Sequence, residues 1–253
     1  MNATKIEWCD MTFNPVTGCI HKCEYCYARR IAERFGKMKC PTNELHILDQ
    51  PIERITKNGK EVVAAYPFGF EPTFHRYRLD EPLKANKPQS IFVGSMADLF
   101  GEWVPDEWIE SVFSACEAAP HHRYLFLTKN PSRYVGLTVR GKLPERDNFW
   151  YGSTVTGPNV QAFFSNRHHT FISIEPILEP MGGVEGENSL PELAEWAIFG
   201  AETGNRAGKV IPERSWIEQA VGEFLKRGKP VFMKNSMIPI WGEDIITEFP
   251  WKG

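Results

Sequence analysis

Short, almost continuously apolar runs separated by polar and helical stretches limit what this chain can become more than any other feature. The runs are SIFVGS (90–95), RYLFLT (123–128), FWYGSTV (149–155), TFISIEPIL (170–178), EWAIFGA (195–201) and PVFMK (230–234). A strand with one wet face alternates apolar and polar residues. These runs do not alternate, which marks strands covered on both faces, as in a parallel sheet. Helices are expected around 106–119, 158–166 and 213–227. In the last, Trp216, Ala220, Phe224 and Leu225 share one stripe and Gly228 follows as a stop signal. Alternating strands and helices predict an α/β fold, with βα units wound into a barrel or an open parallel sheet.

The length of 253 residues suits a single domain over 1–253. Residues 40–88 break the rhythm. There ITKNGKEVV reads as a hairpin turning at Asn58 and Gly59, with several prolines after it. We read this region as an insertion near the mouth of the sheet, serving as a lid, a substrate-recognition element or a structural cap.

Polar residues recur at the ends of the apolar runs: Ser95 and Asp98, Thr128 and Lys129, Thr154 and Thr156, Glu175, Glu202, and Lys234 with Asn235. In parallel α/β folds the carboxyl ends of the strands face one crevice, where ligands bind. Glu175 is the most pointed of these. A carboxylate inside ISIEPIL is costly to bury unpaired, so it needs a cation or ligand hydroxyl, with Lys129 or Lys234 as partner. Glu202, flanked by small residues in GAETG, is a second such group, and Arg206 is placed to meet an anion or solvent.

Net charge of −3 shows no global basic excess of the kind that wrapping duplex DNA requires, although a local basic groove is compatible with it. No apolar stretch approaches the length of a membrane span, and MNATKIEWCDMTF contains no signal-peptide core. The expectation is a cytoplasmic protein that does not engage membranes, and there clustered cysteines point to metal or redox chemistry rather than disulfides.

Cys19, Cys23 and Cys26 are clustered in GCIHKCEYCYARRIAERF, whereas Cys9, Cys40 and Cys116 are scattered. YARRIAERF is a strong helix former, so Cys23 and Cys26 fall near a helix start and Cys19 in the preceding loop. Three converging thiolates would hold a [4Fe–4S] cubane with one iron open to a further ligand. The rival is a zinc site completed by His21 or Cys40, against which the x₃/x₂ spacing speaks.

With Tyr25 directly before its last cysteine, this motif resembles that of the radical S-adenosylmethionine (SAM) superfamily. The wider pattern resembles an uncharacterised, phage-associated radical-SAM-like family. It is carried by TKIEWCDMTFNPVTGC, CEYCYARRIAERF, RLDEPL, IFVGSMADLF, LFLTKNP, ISIEPIL, WAIFGAETG and PVFMKNS. Family members often have Thr where Cys9 stands, which marks Cys9 as no ligand. The resemblance implies a partial (β/α)6-type parallel barrel with the 40–88 region inserted. It also implies an enzyme whose cluster, fed by an electron donor such as flavodoxin or ferredoxin, cleaves SAM and yields a 5′-deoxyadenosyl radical for hydrogen abstraction. Metal ligands would be Cys19, Cys23 and Cys26. SAM would be held by Tyr25, by Gly94, Ser95 and Asp98 in a segment that departs from the commoner Gly-Gly-Glu form, and by Thr154, Thr156 and Glu175. Glu175, Lys129, Glu202 and Lys234 would serve catalysis, on a substrate that includes a nucleobase or nucleic acid among its candidates. The alternative is a non-catalytic zinc- or Fe–S-binding module that recognises nucleic acid or a partner protein.

Overall fold

A computed structural model describes residues 1–36, 42–181 and 188–252. The chain divides into two units, one of Met1–Thr4 with Cys9–Tyr124 and one of Lys5–Trp8 with Leu125–Gly253.

In the first unit, β2 (Met11–Phe13) pairs antiparallel with β1 (Asn2–Ala3) and parallel with β8 (Ser90–Val93), placing Phe13 opposite Val93. A second sheet joins β3 (Val16–Thr17), β7 (Thr73–His75) and β4 (His46–Leu48) in the order β3-β7-β4. The hairpin of β5 (Glu53–Ile55) and β6 (Glu61–Val63) turns through Gly59, whose φ of +75° suits glycine. Its amide donates to the Thr56 carbonyl at 2.9 Å. The helices are α1 (Tyr27–Phe35) and α2 (Asp106–Glu117). α2 starts with Asp106 and Glu107, which complement the helix dipole, and buries Trp108, Ile109, Val112, Phe113 and Cys116.

The second unit contains β9 (Arg123–Thr128) from Leu125 onward, β10 (Phe149–Thr154), β11 (His169–Ile174), β12 (Trp196–Phe199) and β13 (Val231–Met233), adjacent in that order. β10 to β13 are parallel. Each apolar run of the sequence coincides with or overlaps one of these strands or β8, β11 starting one residue earlier at His169, and the buried patterns of β10 and β12 are unbroken. The helices are α3 (Pro131–Val139), α4 (Leu190–Leu193), α5 (Arg214–Lys226) and α6 (Ile238–Trp241). α5 packs Ile217, Ala220, Val221 and Phe224 into a core with Ile172, Ile174, Phe199, Val231 and Met233. Full burial of each large apolar side chain stabilises by about 1.5–3 kcal/mol. Elsewhere in this unit Trp196 is ringed by Trp8, Phe171, Phe232, Phe249 and Trp251.

Two helical expectations change. Residues 158–166 form no helix: a turn follows Gly157, and the Phe163 amide donates to Ser153 Oγ at 2.9 Å instead of to a helical carbonyl. The stripe of α5 is centred on Ile217 and Val221, and Leu225 lies at 42% exposure. α3 was not anticipated; it begins at Pro131, whose missing N–H costs nothing in the first turn. The fold is α/β with a parallel sheet. Among the described residues, no helix is long and apolar enough to cross a membrane.

Candidate functional site

In the first unit, the carboxyl ends of β2 and β8 are joined by Asn14. Its Oδ1 accepts from the Met96 amide at 3.0 Å and from Ser95 Oγ at 3.2 Å. Gly94, at φ +81°, permits the turn out of β8, and its amide donates to the Phe13 carbonyl at 2.9 Å. Tyr27 donates its hydroxyl to the Ser95 carbonyl at 2.7 Å. Asp98 is buried, with His21 Nε2 at 2.7 Å from Oδ2 and the Phe100 amide donating to Oδ1 at 3.1 Å. Trp103 meets the His21 ring edge-on. The Gly94–Asp98 segment thus spends its polar groups on its own unit. Tyr25 is half-buried in the turn before α1.

The thiols are engaged locally as well. Cys26 caps α1, its Sγ accepting from the Arg29 amide at 3.3 Å. The Cys19 amide donates to the Phe70 carbonyl at 3.2 Å, and its carbonyl accepts from the Arg29 guanidinium at 3.1 Å. Burial pushes the Cys19 thiol up to about 12, against the lowering effect of the His21 backbone.

These positions correct the reading of the cysteine motif. Among the described residues, no group of three or more His, Cys, Asp or Glu side chains is placed to hold a metal ion. Cys19, Cys23 and Cys26 therefore do not fit a [4Fe–4S] cluster. His21 is paired with Asp98 rather than offered to zinc, and Cys40 lies outside the described residues. With the cluster fall the iron–sulfur and metal-binding assignments, the radical SAM enzyme, and SAM as cofactor and partner. The flavodoxin or ferredoxin donor, the nucleic-acid or nucleotide substrate reached through that chemistry, and the alternative zinc or Fe–S module fall too. The spacing was read correctly, but spacing does not set the direction of each Sγ.

In the second unit, parallel pairing of β10 to β13 brings their carboxyl ends to one edge. Glu175 follows β11 and Lys234 follows β13, and Lys234 Nζ donates to Glu175 Oε1. Both side chains keep partial exposure, 26% for Glu175 and 16% for Lys234. Gly200, at the end of β12, lies beneath this pair; a Cβ there would approach Glu175 Cγ and Cδ to 3.0 Å. Thr154 is buried at the end of β10, and the Thr156 carbonyl accepts from the Leu178 amide at 3.2 Å. Lys129 is half-buried one residue past β9. Lys234 is thus the cation that meets Glu175.

Glu202 is different. Only 4% of it is exposed, and Arg206 grips its carboxylate with two bonds of 2.8 Å, from Nε to Oε1 and from Nη2 to Oε2. Those bonds hold the Glu202 carboxyl below its ordinary range, with burial opposing them. Glu202 and Arg206 close a loop. Residues missed by sequence reasoning include Ser236, whose Oγ accepts from the Ala201 amide at 3.1 Å, and Glu7, which accepts from the Asn235 amide at 3.0 Å. Ser236 adjoins the polar strand end at Lys234 and Asn235, a weak signal; Glu7 carried none.

This arrangement defines an α/β protein with a polar edge at the carboxyl ends of parallel strands. The chain belongs to the family described as "Protein of unknown function (DUF5131)", whose pattern it matches over residues 3–244. No curated protein matches it. Among solved structures there is a distant similarity to spore photoproduct lyase. A mutant of that protein with dinucleoside spore photoproduct aligns at 11% identity and a TM-score of 0.47, covering 87% of this chain and 63% of the other. Spore photoproduct lyase complexed with dinucleoside spore photoproduct aligns at 12% identity, with the same TM-score and coverage. This chain therefore spans 63% of the length of those structures. None of these matches carries a phage association.

Proposed function

We propose that this protein binds a small polar solute at the carboxyl edge of β10 to β13, without a metal, and that Glu175 and Lys234 are its recognition pair. The supporting observation is that half-buried ion pair, seated over Gly200 and still partly open. Ligands of parallel α/β proteins bind outside the carboxyl ends of the strands. A carboxylate accepts and an ammonium donates, so the pair suits a solute that carries a hydroxyl or amine beside an acceptor such as a carboxylate. Thr154, Thr156 and Lys129 are assigned to the walls of the same site, and Glu202 to its support.

As part of this reading the strands close as a partial (β/α)6-type barrel, a single domain over 1–253 with the 40–88 region inserted as a lid or recognition element. The similarity to radical SAM proteins is distant and concerns the fold alone. A cytoplasmic setting belongs to the same reading.

Saturation-transfer NMR of the full chain against sugars, amino acids and hydroxy acids tests this. A ligand should appear whose affinity falls at least tenfold, about 1.4 kcal/mol, in both Glu175→Gln and Lys234→Met, with circular dichroism unchanged. An empty screen, or a ligand indifferent to both substitutions, refutes it.

A further inference from the structure

Once the cysteine motif is released from metal binding, its last two members have a different geometry to answer for. The Cys26 amide donates to the Cys23 carbonyl at 3.2 Å, closing a turn through Glu24 and Tyr25. Such a turn holds its first and last Cα atoms within about 7 Å. Disulfides bridge Cα separations of about 4.4–6.8 Å. Cys26 also stands at the N-cap of α1, a nine-residue helix, where its sulfur accepts from the Arg29 amide. Both residues are partly exposed, Cys26 packing against the small core of Ala28, Ala32, Phe70 and Met96. Cys19 is four positions earlier, its backbone tied to Phe70 and Arg29, and Cys116 is fully buried in α2.

We propose that Cys23 and Cys26 form a redox-active dithiol that a low-molecular-weight disulfide oxidises to an intramolecular disulfide. This does not depend on the solute-binding reading, which concerns the other unit. One thiol of the pair loses its proton and attacks a sulfur of the small disulfide. A mixed disulfide forms, and the departing thiolate leaves with the electron pair of the broken S–S bond. The second cysteine, deprotonated in turn, attacks the protein sulfur of that mixed disulfide and expels the second thiolate. The protons from the two cysteines end on the two released thiols, so the dithiol is oxidised and the small disulfide reduced. Oxidation ties the turn covalently at the foot of α1 and makes the Cys26 sulfur a weaker acceptor for the Arg29 amide.

The test treats the full chain with oxidised glutathione over a range of oxidised-to-reduced ratios, followed by intact mass and peptide mapping. The expected product has lost two hydrogens and carries a Cys23–Cys26 bridge, reversed by excess reduced glutathione. Cys23→Ser and Cys26→Ser should each stop at the glutathione adduct, whereas Cys9→Ser should behave as the parent chain. Circular dichroism of each variant confirms that it is folded, and mapping of the parent chain decides the pair even where a variant is not. A bridge mapped to Cys19, thiols that all survive, or a purified chain whose bound iron or zinc shields them would overturn the proposal.

Discussion

Replacing Arg206 by alanine separates a structural Glu202 from a catalytic one. In the folded protein the guanidinium makes two charge-assisted bonds of 2.8 Å to a carboxylate that is itself nearly inaccessible. Bonds to charged groups contribute about 1.5–3 kcal/mol each, so the pair has a ceiling of about 3–6 kcal/mol. Arg206 retains 21% side-chain exposure, which screens the interaction and brings the expected loss to about 3 kcal/mol. For a chain of this size that corresponds to a fall in Tm of about 6–12 °C. The loss must depend on pH. The folded Glu202 carboxyl lies below its ordinary value of 4.5, first through the Arg206 bonds. The unfolded chain therefore takes up the proton more readily. The stabilisation is fully present above the ordinary value and disappears as pH falls through the folded one. Urea titrations at pH 7 and near pH 3 should show a large parent-to-variant difference at the first and a small one at the second. Adding Glu202→Gln to the Arg206→Ala chain should recover part of the loss at pH 7, because it removes the stranded charge. A penalty below about 1 kcal/mol, or one equal at both pH values, refutes the loop-closing role.

Gly152→Ala should destabilise by about 1–3 kcal/mol through overpacking, since Gly152 faces Phe171 across β10 and β11 and an added Cβ would lie 2.3 Å from its ring; a denaturation midpoint equal to the parent's would contradict the packing. Burial, and then the Arg78 charge, push His75 down to about 3 from an ordinary 6.5, so between these values the unfolded chain binds the proton that the folded chain refuses. Stability should fall as pH drops through that window, by up to about 1.4 kcal/mol per pH unit, and His75→Gln should flatten the slope in urea titrations; an unchanged slope assigns it to other groups.

The strands were legible because burial on both faces removes the need for alternation, and that leaves its mark on neighbouring residues. RYLFLT became β9 without revision, and YARRIAERF became α1 with Cys26 capping it. The hairpin at Asn58 and Gly59 was legible for a similar reason: a positive φ at Gly59 is a local requirement met by a local residue. The segment 158–166 was misread because its apolar residues satisfy burial without a helical backbone, Phe163 being fixed by Ser153 ten residues earlier.

At the candidate site the division is sharper. The sequence alone determined that polar residues stand at successive strand ends and that three cysteines lie close along the chain, because both are statements of order. Tertiary structure decided that Glu175 meets Lys234, that Glu202 is taken up by Arg206, and that the thiols are not grouped for a metal. Those outcomes depend on side-chain direction and on competition among neighbours for the same charge or hydrogen bond. Such competition is settled only when residues far apart in the chain are brought within a few ångströms.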